Sequence, residues 1–505
     1  MHMTLTLVLL GVVSLCELLL FTPLLRPVRR VLAAGMLVAV VAMSGYLAAS
    51  RFSLAGCLFL LISLYRGFNL LRIVEARMHE RYLLRVTLRT SLALMLSQLV
   101  LLALWGLSDK LLLTSHQCWI ILGVLQLLAA VLVLATTLRQ LRLTTPPALN
   151  LHLADRDLPS ITVCIPARNE TAAMEACLRT LVASDYPKLE VLVLDDCSQD
   201  KTPDIIKSFA HDGIRFIRGA EPPAGWLAKN WAYQRLAGEA SGELLIFAGV
   251  DVNFAPAALR ALVLSMKQNS RQMLSVVPRN ESIPDSRRFS ALLQPARYAW
   301  ELCLPRRRFG RPPVLSSCWA IERRLLEKHG GFAAVASDIT PESYFARAAS
   351  TAAGAYGFVR SAEELDIVSR KPWDEQWSTA VRTRYPQLHR RPEMVLLVSA
   401  LEALVLLFPF FEILWALARR DWLLLAPAAV AFVLQVWAFA AVVQLTYRKF
   451  LWRSLIALLP AAALDIALRH LSMWRYELGA VYWKGRNVCL PVMHVFPHLP
   501  TNLSR

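Results

Sequence analysis

Polar and acidic side chains follow three short apolar segments in the middle of the chain, at the point where each segment ends. In chain order, the residues at these segment ends are Pro166, Asn169, Glu170, Asp195, Asp196 and Asp251. A carboxylate can accept hydrogen bonds from a ribose hydroxyl or a uracil imide, and it can bind a hard divalent cation. These residue types predict a nucleotide site in which Asp251 holds a cation together with diphosphate oxygens and water.

The three apolar segments are rich in aliphatic and β-branched residues, which is typical of buried parallel strands. They begin at Ile161, Val191 and Leu244, and helical patterns over Ala172 to Ser184 and Thr202 to His211 lie between them. Alternating strands and helices at this spacing predict a doubly wound α/β fold, in which ligands bind beyond the carboxyl ends of the strands. The fold therefore brings the polar segment ends to one edge of the sheet.

Two of these assignments have structural alternatives that the sequence leaves open. The Asn169-Glu170 pair also fits the start of a helix, where Asn is a common cap. The Asp195-Asp196 pair, followed by Ser198, also fits a turn, because Asp and Ser side chains bond readily to nearby backbone.

Lys229 lies in the segment Gly225 to Ala232, which follows Pro222 and Pro223 and precedes a predicted helix. A lysine near a helix N-terminus can neutralise a diphosphate as a point charge. The segment also fits a hydrophobic staple with a lysine on the surface. The sequence does not decide between these two roles.

Asp338 and Glu342 lie at the start of another predicted helix, after Gly330 and Gly331. Either carboxylate could accept the proton of an acceptor hydroxyl if it faces the same cleft. Pro341 followed by an acid is also an ordinary first helical turn, because both residue types suit that position.

Long apolar runs on both sides of the central segment predict membrane helices. Hydrophobic residues make up 56% of the chain and its mean hydropathy is +0.44, which is too apolar for a soluble protein. With ~20 residues needed per crossing, we expect about seven or eight membrane helices. Glu17 inside the first run either has a function or pairs with a neighbouring helix or an arginine, which is the usual fate of an intramembrane acid. The predicted spans are Leu5 to Leu25, Val31 to Ala49, Leu54 to Tyr65, Leu92 to Leu107, Cys118 to Leu138, Val395 to Leu417, Trp422 to Leu445 and Leu455 to Leu471, the last one broken by Pro460 and Asp465. Because three full C-terminal crossings would put the basic tail outside, the last span is alternatively an interfacial or re-entrant helix.

The net charge of +18 is spread over loops beside the apolar runs, and no nucleic-acid-binding motif accompanies it. By the positive-inside tendency, the flanking arginines predict an integral inner or plasma membrane protein with a cytoplasmic central domain. Anionic lipid headgroups and an anionic nucleotide donor explain the charge, so no nucleic-acid partner is expected. The segment Arg382 to Tyr385 fits either a phosphate contact or the bilayer surface. Nine cysteines without paired or metal-ligand spacing predict reduced thiols.

Residues 160 to 392 resemble family 2 glycosyltransferases of the GT-A fold, nearest to membrane members associated with hopanoid, carotenoid or ceramide glycosylation. The matching motifs are Ile165-Pro-Ala-Arg-Asn169-Glu170, Asp185-Tyr-Pro187, Val193-Leu-Asp195-Asp196-Cys-Ser198-x-Asp200-x-Thr202, Gly225-Trp-Leu-x-Lys229-Asn-Trp231-Ala232, Gly330-Gly331-Phe332, Arg382-Thr-x-Tyr385-x-Gln387-Leu388 and Trp483-Lys-Gly485-Arg486. With the apolar runs, this resemblance predicts a Rossmann-like GT-A domain at residues 158–392. In the chain, this domain comes after residues 1–145, which are predicted to form about five N-terminal transmembrane helices with a basic connector. C-terminal transmembrane or interfacial helices in residues 393–476 and a basic tail in residues 477–505 complete the chain.

The resemblance implies a role for several of the residues identified above. Asn169, Glu170 and Asp196 would hold the nucleotide, Asp251 would bind Mg²⁺ or Mn²⁺, and Glu342 would occupy the region of the catalytic base. The implied reaction is an inverting transfer of a sugar from a nucleotide-sugar donor, and the flanking membrane spans favour a lipid or polyprenyl hydroxyl as acceptor.

Two departures from the family pattern matter for the expected activity. The first acid of the Asp-x-Asp motif is replaced by Gly249, and one alignment register puts Ser343 rather than Glu342 at the base position. A non-catalytic scaffold that binds nucleotide sugar or lipid is therefore an alternative. A processive polysaccharide synthase is less favoured, because a Gln-x-x-Arg-Trp motif is absent.

Overall fold

The structure is a computed structural model of the 505-residue chain. It describes residues 2–20, 29–50, 54–75, 88, 90–101, 115–146, 149, 151, 153–281, 292–303, 312–351, 354–362, 365–447 and 454–489. Parts of the predicted spans, residues 21–25 and 102–107, lie outside these ranges. So does the end of the predicted basic tail, residues 490–505.

The chain forms two compact units, one of residues 1–119, 388–398 and 493–505 and one of residues 120–387 and 399–492. In the first unit, Leu20, Ala33, Val40 and Leu70 form a small apolar core between helices. The helices that lie in it are His2–Leu19, Arg29–Ser50, Leu54–Glu75 and Thr90–Leu101.

Glu17 in the first unit is fully buried and forms an ion pair of 2.5 Å with Arg66. Arg66 also donates to the Gln98 side chain. The expectation that Glu17 pairs with an arginine is confirmed, and the pairing explains how an acid is tolerated among apolar helices.

A seven-stranded mixed sheet forms the centre of the second unit, in the order β3-β2-β1-β4-β8-β6-β9. Strands β1 to β4 run parallel, β8 is antiparallel to β4 and β6, and β9 is parallel to β6. The three segments predicted to be parallel strands are β1, β2 and β4, and this prediction is confirmed; the antiparallel β8, which the sequence did not predict, makes the whole sheet mixed. The strands are Ile161–Ala167 (β1), Leu189–Asp195 (β2), Ile214–Arg218 (β3), Leu244–Ala248 (β4), Met273–Val277 (β6), Cys318–Glu322 (β8) and Tyr356–Arg360 (β9).

The apolar segments that predicted strands form β1, β2 and β4, and β4 is buried along its whole length. Helices cover the sheet, and their apolar residues complete cores on its two sides. The two predicted helices begin within one residue of expectation but end earlier, at Val182 and Ser208. The helices of the domain are Thr171–Val182, Thr202–Ser208, Ala228–Glu239, Ala258–Gln268, Leu293–Cys303, Arg323–Lys328, Pro341–Ala349 and Trp373–Gln387.

Two small sheets flank the main sheet. One is β5-β10-β7, formed by Val252–Phe254, Ile367–Ser369 and Arg279–Asn280. The other is a hairpin near the C-terminus, formed by Tyr482–Trp483 (β11) and Arg486–Asn487 (β12). We call the segment Tyr482 to Asn487 the tail hairpin.

Four helices of the described chain are long and apolar enough to cross a membrane: His116–Leu143, Pro392–Arg419, Trp422–Tyr447 and Leu455–Glu477. They leave large apolar side chains exposed, such as Leu423 at 70% and Val433 at 61%, which suits contact with lipid. The expected break at Pro460 and Asp465 is wrong, because the helix Ser454–Glu477 runs through both residues. Asp465 is tolerated there because Arg384 and Arg469 neutralise it.

Candidate active site

Asn169 and Glu170 follow β1 and hold the loop that follows β2. The Asn169 backbone has φ of 51°, and its N–H donates to Ser198 Oγ at 3.0 Å. The Asn169 side-chain oxygen accepts the Gln199 N–H at 2.9 Å, and the Glu170 N–H donates to Thr202 Oγ1 at 2.7 Å. These hydrogen bonds of Asn169 and Glu170 therefore hold the segment after β1 against the loop after β2.

Pro166 lies in β1 two residues beyond the last pair that β1 makes with β4. A strand can lack an amide donor at such a position, because the ladder on that side has ended. Pro166 is thus compatible with a central strand.

Asp195 and Asp196 are both buried but have different partners. The Asp195 carboxylate accepts the Ser198 N–H at 3.3 and 3.4 Å, which is the turn-forming role that the sequence left open. Each carboxylate oxygen of Asp196 instead accepts a hydrogen bond of 2.8 Å from Arg486 Nη1. Only Asp196 of this pair faces charge from a distant part of the chain.

The tail hairpin lies against the carboxyl ends of β1 and β2. Lys484 Nζ pairs with Glu170 at 2.8 Å and with Glu375 at 2.9 Å, and Arg486 also pairs with Glu221 at 2.9 Å. The backbone carbonyl of Lys484 accepts a hydrogen bond from Arg168 Nε at 2.9 Å. The sequence assigned no role to these tail residues, although the motif Trp483-Lys-Gly485-Arg486 had marked them.

Burial shifts the pKa values of the two acids that the tail hairpin contacts. Desolvation and the charge of Glu375 raise the pKa of Glu170 to about 7, against the opposing effect of Lys484. Desolvation also raises the pKa of Asp196, although Arg486 and Arg168 oppose the shift. Burial therefore opposes the ionisation of both carboxylates, and the tail cations favour it.

Asp251 follows β4, and its Oδ2 accepts a hydrogen bond of 3.1 Å from Ser369. A Cβ atom at Gly249 would lie 2.5 Å from Asp251 Oδ1, so the carboxylate occupies the space that a side chain at position 249 would take. No group of three or more His, Cys, Asp or Glu side chains in the described residues could cage a metal. A single carboxylate fits Mg²⁺ or Mn²⁺ where phosphate oxygens and water supply the other ligands.

Lys229 lies in the first turn of the helix Ala228–Glu239. Its ammonium lies 5.1 Å from the centre of the Tyr233 ring, and it forms no ion pair with any residue that the structure describes. Burial lowers the pKa of Lys229 to about 8, and the charge of Glu342 partly opposes this shift. Lys229 is therefore a cation without a direct ion pair among the described residues, although the charge of Glu342 acts on it.

A cavity of about 430 Å³ opens beside Lys229. Its walls come from Pro222 to Asn230, from Ile339 and Arg382, and from the tail residues 483 and 486–488. We call it the tail cavity. Its volume lies within the usual range for a small-molecule site.

Glu342 and Asp338 differ in their surroundings. Glu342 is 1% exposed, and one of its carboxylate oxygens is buried without a hydrogen-bond partner in the structure. Asp338 is exposed, and its backbone carbonyl accepts the Asn230 side-chain amide at 2.8 Å. A buried oxygen without a partner is costly, and this oxygen of Glu342 retains the capacity to accept a hydrogen bond.

Arg382 and Arg384 lie two residues apart in the helix Trp373–Gln387 but have different partners. Arg384 pairs with Asp465 and therefore anchors the helix. The Arg382 guanidinium stacks 4.9 Å from the Trp483 ring and makes no ion pair within the described ranges. The sequence offered a phosphate contact or the bilayer surface for this segment, and the structure places Arg382 in the wall of the tail cavity.

Residues 162–330 match the family model described as Glycosyl transferase family 2. A probable glycosyltransferase of Bacillus subtilis, YdaM, is 28% identical over 193 residues, covering 35% of this chain and 44% of that protein. A beta-monoglucosyldiacylglycerol synthase of Trichormus variabilis is 29% identical over 102 residues, covering 19% and 21%. The mannosyltransferase PcManGT from Pyrobaculum calidifontis, solved with GDP-Man and Mn²⁺, covers 71% of this chain and 97% of its own, with 19% identity and a TM-score of 0.41.

Residues 162–330, which match the family 2 glycosyltransferase model, contain most of the strands of the seven-stranded mixed sheet. The chain spans less than half the length of these two curated relatives. The match includes Asp196, Lys229 and Asp251 but ends before Glu342 and the tail hairpin.

Proposed function

We propose that the protein is a membrane-embedded glycosyltransferase that moves a sugar from a nucleotide-sugar donor to a lipid or polyprenyl hydroxyl. The observation that carries this proposal is the meeting of Glu170, Asp196 and Asp251 at the carboxyl ends of β1, β2 and β4, inside a family 2 domain. This edge of an α/β sheet is where nucleotides bind.

The membrane location and the lipid acceptor rest on the apolar helices. Four of them are long enough to span a bilayer, and they would hold the cleft close to the lipid surface. The similarity to a beta-monoglucosyldiacylglycerol synthase supports a lipid acceptor. The arginines beside the apolar runs favour a cytoplasmic site in an inner or plasma membrane.

In the proposed reaction, Glu342 takes the proton of the acceptor hydroxyl as its oxygen attacks the anomeric carbon. The bond between that carbon and the diphosphate breaks, and its electron pair leaves with the diphosphate, so the configuration inverts. Asp196 and Glu170 would bind the nucleoside. A divalent cation on Asp251, Mg²⁺ or Mn²⁺, would supply positive charge to the departing diphosphate.

The buried, unpartnered oxygen of Glu342 supports this residue rather than Ser343 as the base. The negative charge of Glu342 also acts on Lys229 and on Arg382, which places it near the tail cavity. Asp338, with its exposed side chain, is the weaker choice for the base.

A non-catalytic scaffold of the same fold is the second candidate. Gly249 in place of an acid favours it, as do the tail cations that already occupy Glu170 and Asp196. Nucleotide binding without turnover for any donor would identify this function.

The test is sugar transfer by the purified protein in lipid nanodiscs, with a panel of UDP- and GDP-sugars and Mg²⁺ or Mn²⁺. We expect Asp251→Asn and Glu342→Gln to lower the rate by about 10²-fold or more, the usual effect of removing an acid–base or metal-binding group. Glu175→Gln, which removes one exposed helical ion pair, is the matched control and should keep the wild-type rate. Wild-type rates in both site variants would refute the assignment.

A further inference from the structure

The tail hairpin forms ion pairs with both of the carboxylates that we assign to the nucleoside. Arg486 Nη1 lies 2.8 Å from each carboxylate oxygen of Asp196, and Lys484 Nζ lies 2.8 Å from Glu170 Oε1. Asp196 is only 4% exposed, so Arg486 supplies the positive partner that a buried carboxylate needs. The two acids therefore have their present charge and orientation in the presence of the tail.

Arg486 leaves part of the acceptor capacity of Asp196 open for a ligand. The two oxygens of a carboxylate have about four acceptor sites, and a nitrogen at the same distance from both oxygens lies between them. It uses one site on each oxygen, and no other described residue donates to the Asp196 side chain. The outer site of each oxygen can therefore accept a ribose hydroxyl or a base N–H while Arg486 stays in place.

Contacts with the backbone also fix the tail hairpin in this position. The Arg168 guanidinium donates to the Lys484 carbonyl at 2.9 Å, and it donates to the Asp196 and Cys197 carbonyls as well. Lys484 Nζ donates to the Asn169 carbonyl at 3.2 Å. These contacts hold Lys484 at a φ of 48°, which is unfavourable for a residue with a Cβ. A segment bound in so many ways is a permanent part of the site rather than a removable inhibitor.

Glu170 depends on Lys484 for its negative charge. Burial raises the pKa of Glu170 to about 7, the charges of Glu375 and Asp251 add to this rise, and Lys484 opposes it. Glu375 also pairs with Lys484 at 2.9 Å, so one lysine offsets two acids. Without the lysine, burial and the neighbouring acids would leave Glu170 mostly protonated at neutral pH.

Resting on the proposed function, we propose that Lys484 and Arg486 are positioning residues of the donor site. Arg486 holds the Asp196 carboxylate in the orientation that receives the nucleoside, and Lys484 keeps Glu170 as an ionised acceptor. The tail cations act through these acids and bind no part of the donor themselves. Since the tail hairpin follows shortly after the helix Leu455–Glu477, this helix anchors the donor site to the membrane.

The experiment measures the affinity of uridine and of guanosine by ligand-observed NMR, on the full-length protein in nanodiscs between pH 6 and pH 8.5. An ionised Glu170 is the stronger acceptor for a ribose hydroxyl, so wild-type affinity should rise with pH around pH 7. In Lys484→Gln this rise should move to higher pH. Affinity should then be about fivefold weaker than wild type at pH 7, the difference between a charged and a neutral acceptor.

Two features of the pH profile separate this role from a loss of folding. The gap between Lys484→Gln and wild type should narrow towards pH 8.5, which a misfolded protein would not show. Lys484→Arg should restore the wild-type profile, because arginine stays charged throughout this range. A Lys484→Gln profile with the wild-type midpoint, whatever its absolute affinity, would overturn the role of Lys484.

A double-mutant cycle tests whether Arg486 acts through Asp196. Arg486→Gln should weaken both nucleosides about tenfold, as when the partner that orients a metal ligand is removed. In an Asp196→Asn background the same substitution should have no further effect, and a loss in both backgrounds would overturn the positioning role. Glu221→Gln, which removes only the exposed ion pair of Arg486, is the matched control and should keep wild-type affinity.

Nucleoside binding and sugar transfer fail separately, so the two proposals can be told apart. Tighter nucleoside binding by Lys484→Gln and Arg486→Gln would show that the tail blocks the site, and unchanged affinity would show that it only braces the fold. Either result, or no nucleoside binding by wild type, overturns the positioning role even where sugar transfer is found. The expected losses support the role even if no sugar is transferred and the transferase proposal fails.

Discussion

Two regions of the second unit hold buried charge, and they are balanced differently. Around the helix Ser454–Glu477, Arg384 and Arg469 pair with Asp465, and Arg469 also pairs with Glu402 at 2.6 Å. Two cations thus face two acids. Among the cations that line the tail cavity, Arg486 pairs with Asp196 and Glu221, whereas Lys229 and Arg382 contact aromatic rings and form no ion pair with a described residue.

The difference separates a structural charge from a functional one. An ion-pair network with equal numbers of cations and acids needs no further counterion, and removal of one side chain leaves the charge of its partner unpaired. Cations that stack on aromatic rings are stable without a counterion, yet they retain the capacity to bind one. Arg384 and Arg382 represent these two cases within one helix, which makes them the natural pair for testing the comparison.

The largest expected effect is on stability. Arg384→Gln leaves Asp465 buried with less positive charge and should lower the free energy of unfolding by about 3–5 kcal/mol. Arg382→Gln loses only a cation–π contact, about 0.5–1 kcal/mol. Denaturant unfolding in detergent micelles, followed by tryptophan fluorescence, measures both. Equal losses would remove the distinction between the two arginines.

A double variant sharpens the first prediction. Arg384→Gln combined with Asp465→Asn removes both charges, so the combined loss should be smaller than the sum of the two single losses by about 0.5–3 kcal/mol. The same unfolding experiment measures this coupling. Additive losses would show that the ion pair does not hold the helix.

The fold was predictable where strands are continuous apolar runs. Strands β1, β2 and β4 appear where the sequence predicted them, because each is a short aliphatic segment that ends in polar residues. The antiparallel β8 was not predicted, because a short strand shows its direction only through its neighbours β4 and β6. The expected break at Asp465 failed for a similar reason, since the partners of Asp465 include Arg384 of another helix.

The residues of the candidate site at the carboxyl ends of the strands were predictable from the sequence, but their contacts with the tail hairpin were not. Asp196 could be predicted as a candidate site residue from its position after β2, whereas its partner Arg486 is 290 residues away. No local pattern shows such a contact. The motif Trp483-Lys-Gly485-Arg486 was a signal that the tail mattered, but its two-residue turn became evident only with the backbone angles of Lys484 and Gly485.

The pH dependence of pyrophosphate binding tests the charge of Lys229. A lysine whose pKa in the folded protein is lowered from 10.5 to about 8 destabilises the fold while it is charged, and this destabilisation diminishes as the pH rises from 8 to 10.5. A bound anion favours the ammonium, so affinity should be highest below pH 8 and fall by about tenfold towards pH 9. The charged groups that act on Lys229 are Glu342, Arg382, Lys371 and Arg297.

Lys229→Arg is the control for this pH dependence, because arginine stays charged throughout the range. Calorimetry between pH 7 and pH 9 should show a flatter profile for this variant, which also corrects for the titration of pyrophosphate itself. Identical profiles for wild type and variant would contradict the assignment of the pH effect to Lys229.

The smallest expected effect concerns Gly249. A Cβ at this position would push on Asp251 Oδ1, so Gly249→Ala should displace the carboxylate from Ser369 and lower the transfer rate several-fold. Stability should change by less than about 1 kcal/mol, because only the end of a side chain must move. Gly238→Ala, where a Cβ meets nothing within 4 Å, is the control for the rate measurement.

The most direct test of the central claim is a single-turnover experiment with saturating nucleotide sugar and lipid acceptor, in which bound donor and glycosylated lipid are quantified in the same sample. We predict that wild type forms the glycosylated lipid, and that Glu342→Gln binds the donor equally well but forms it about 10²-fold more slowly. Donor bound by wild type without any glycosylated lipid, or equal rates in the two proteins, would contradict the account.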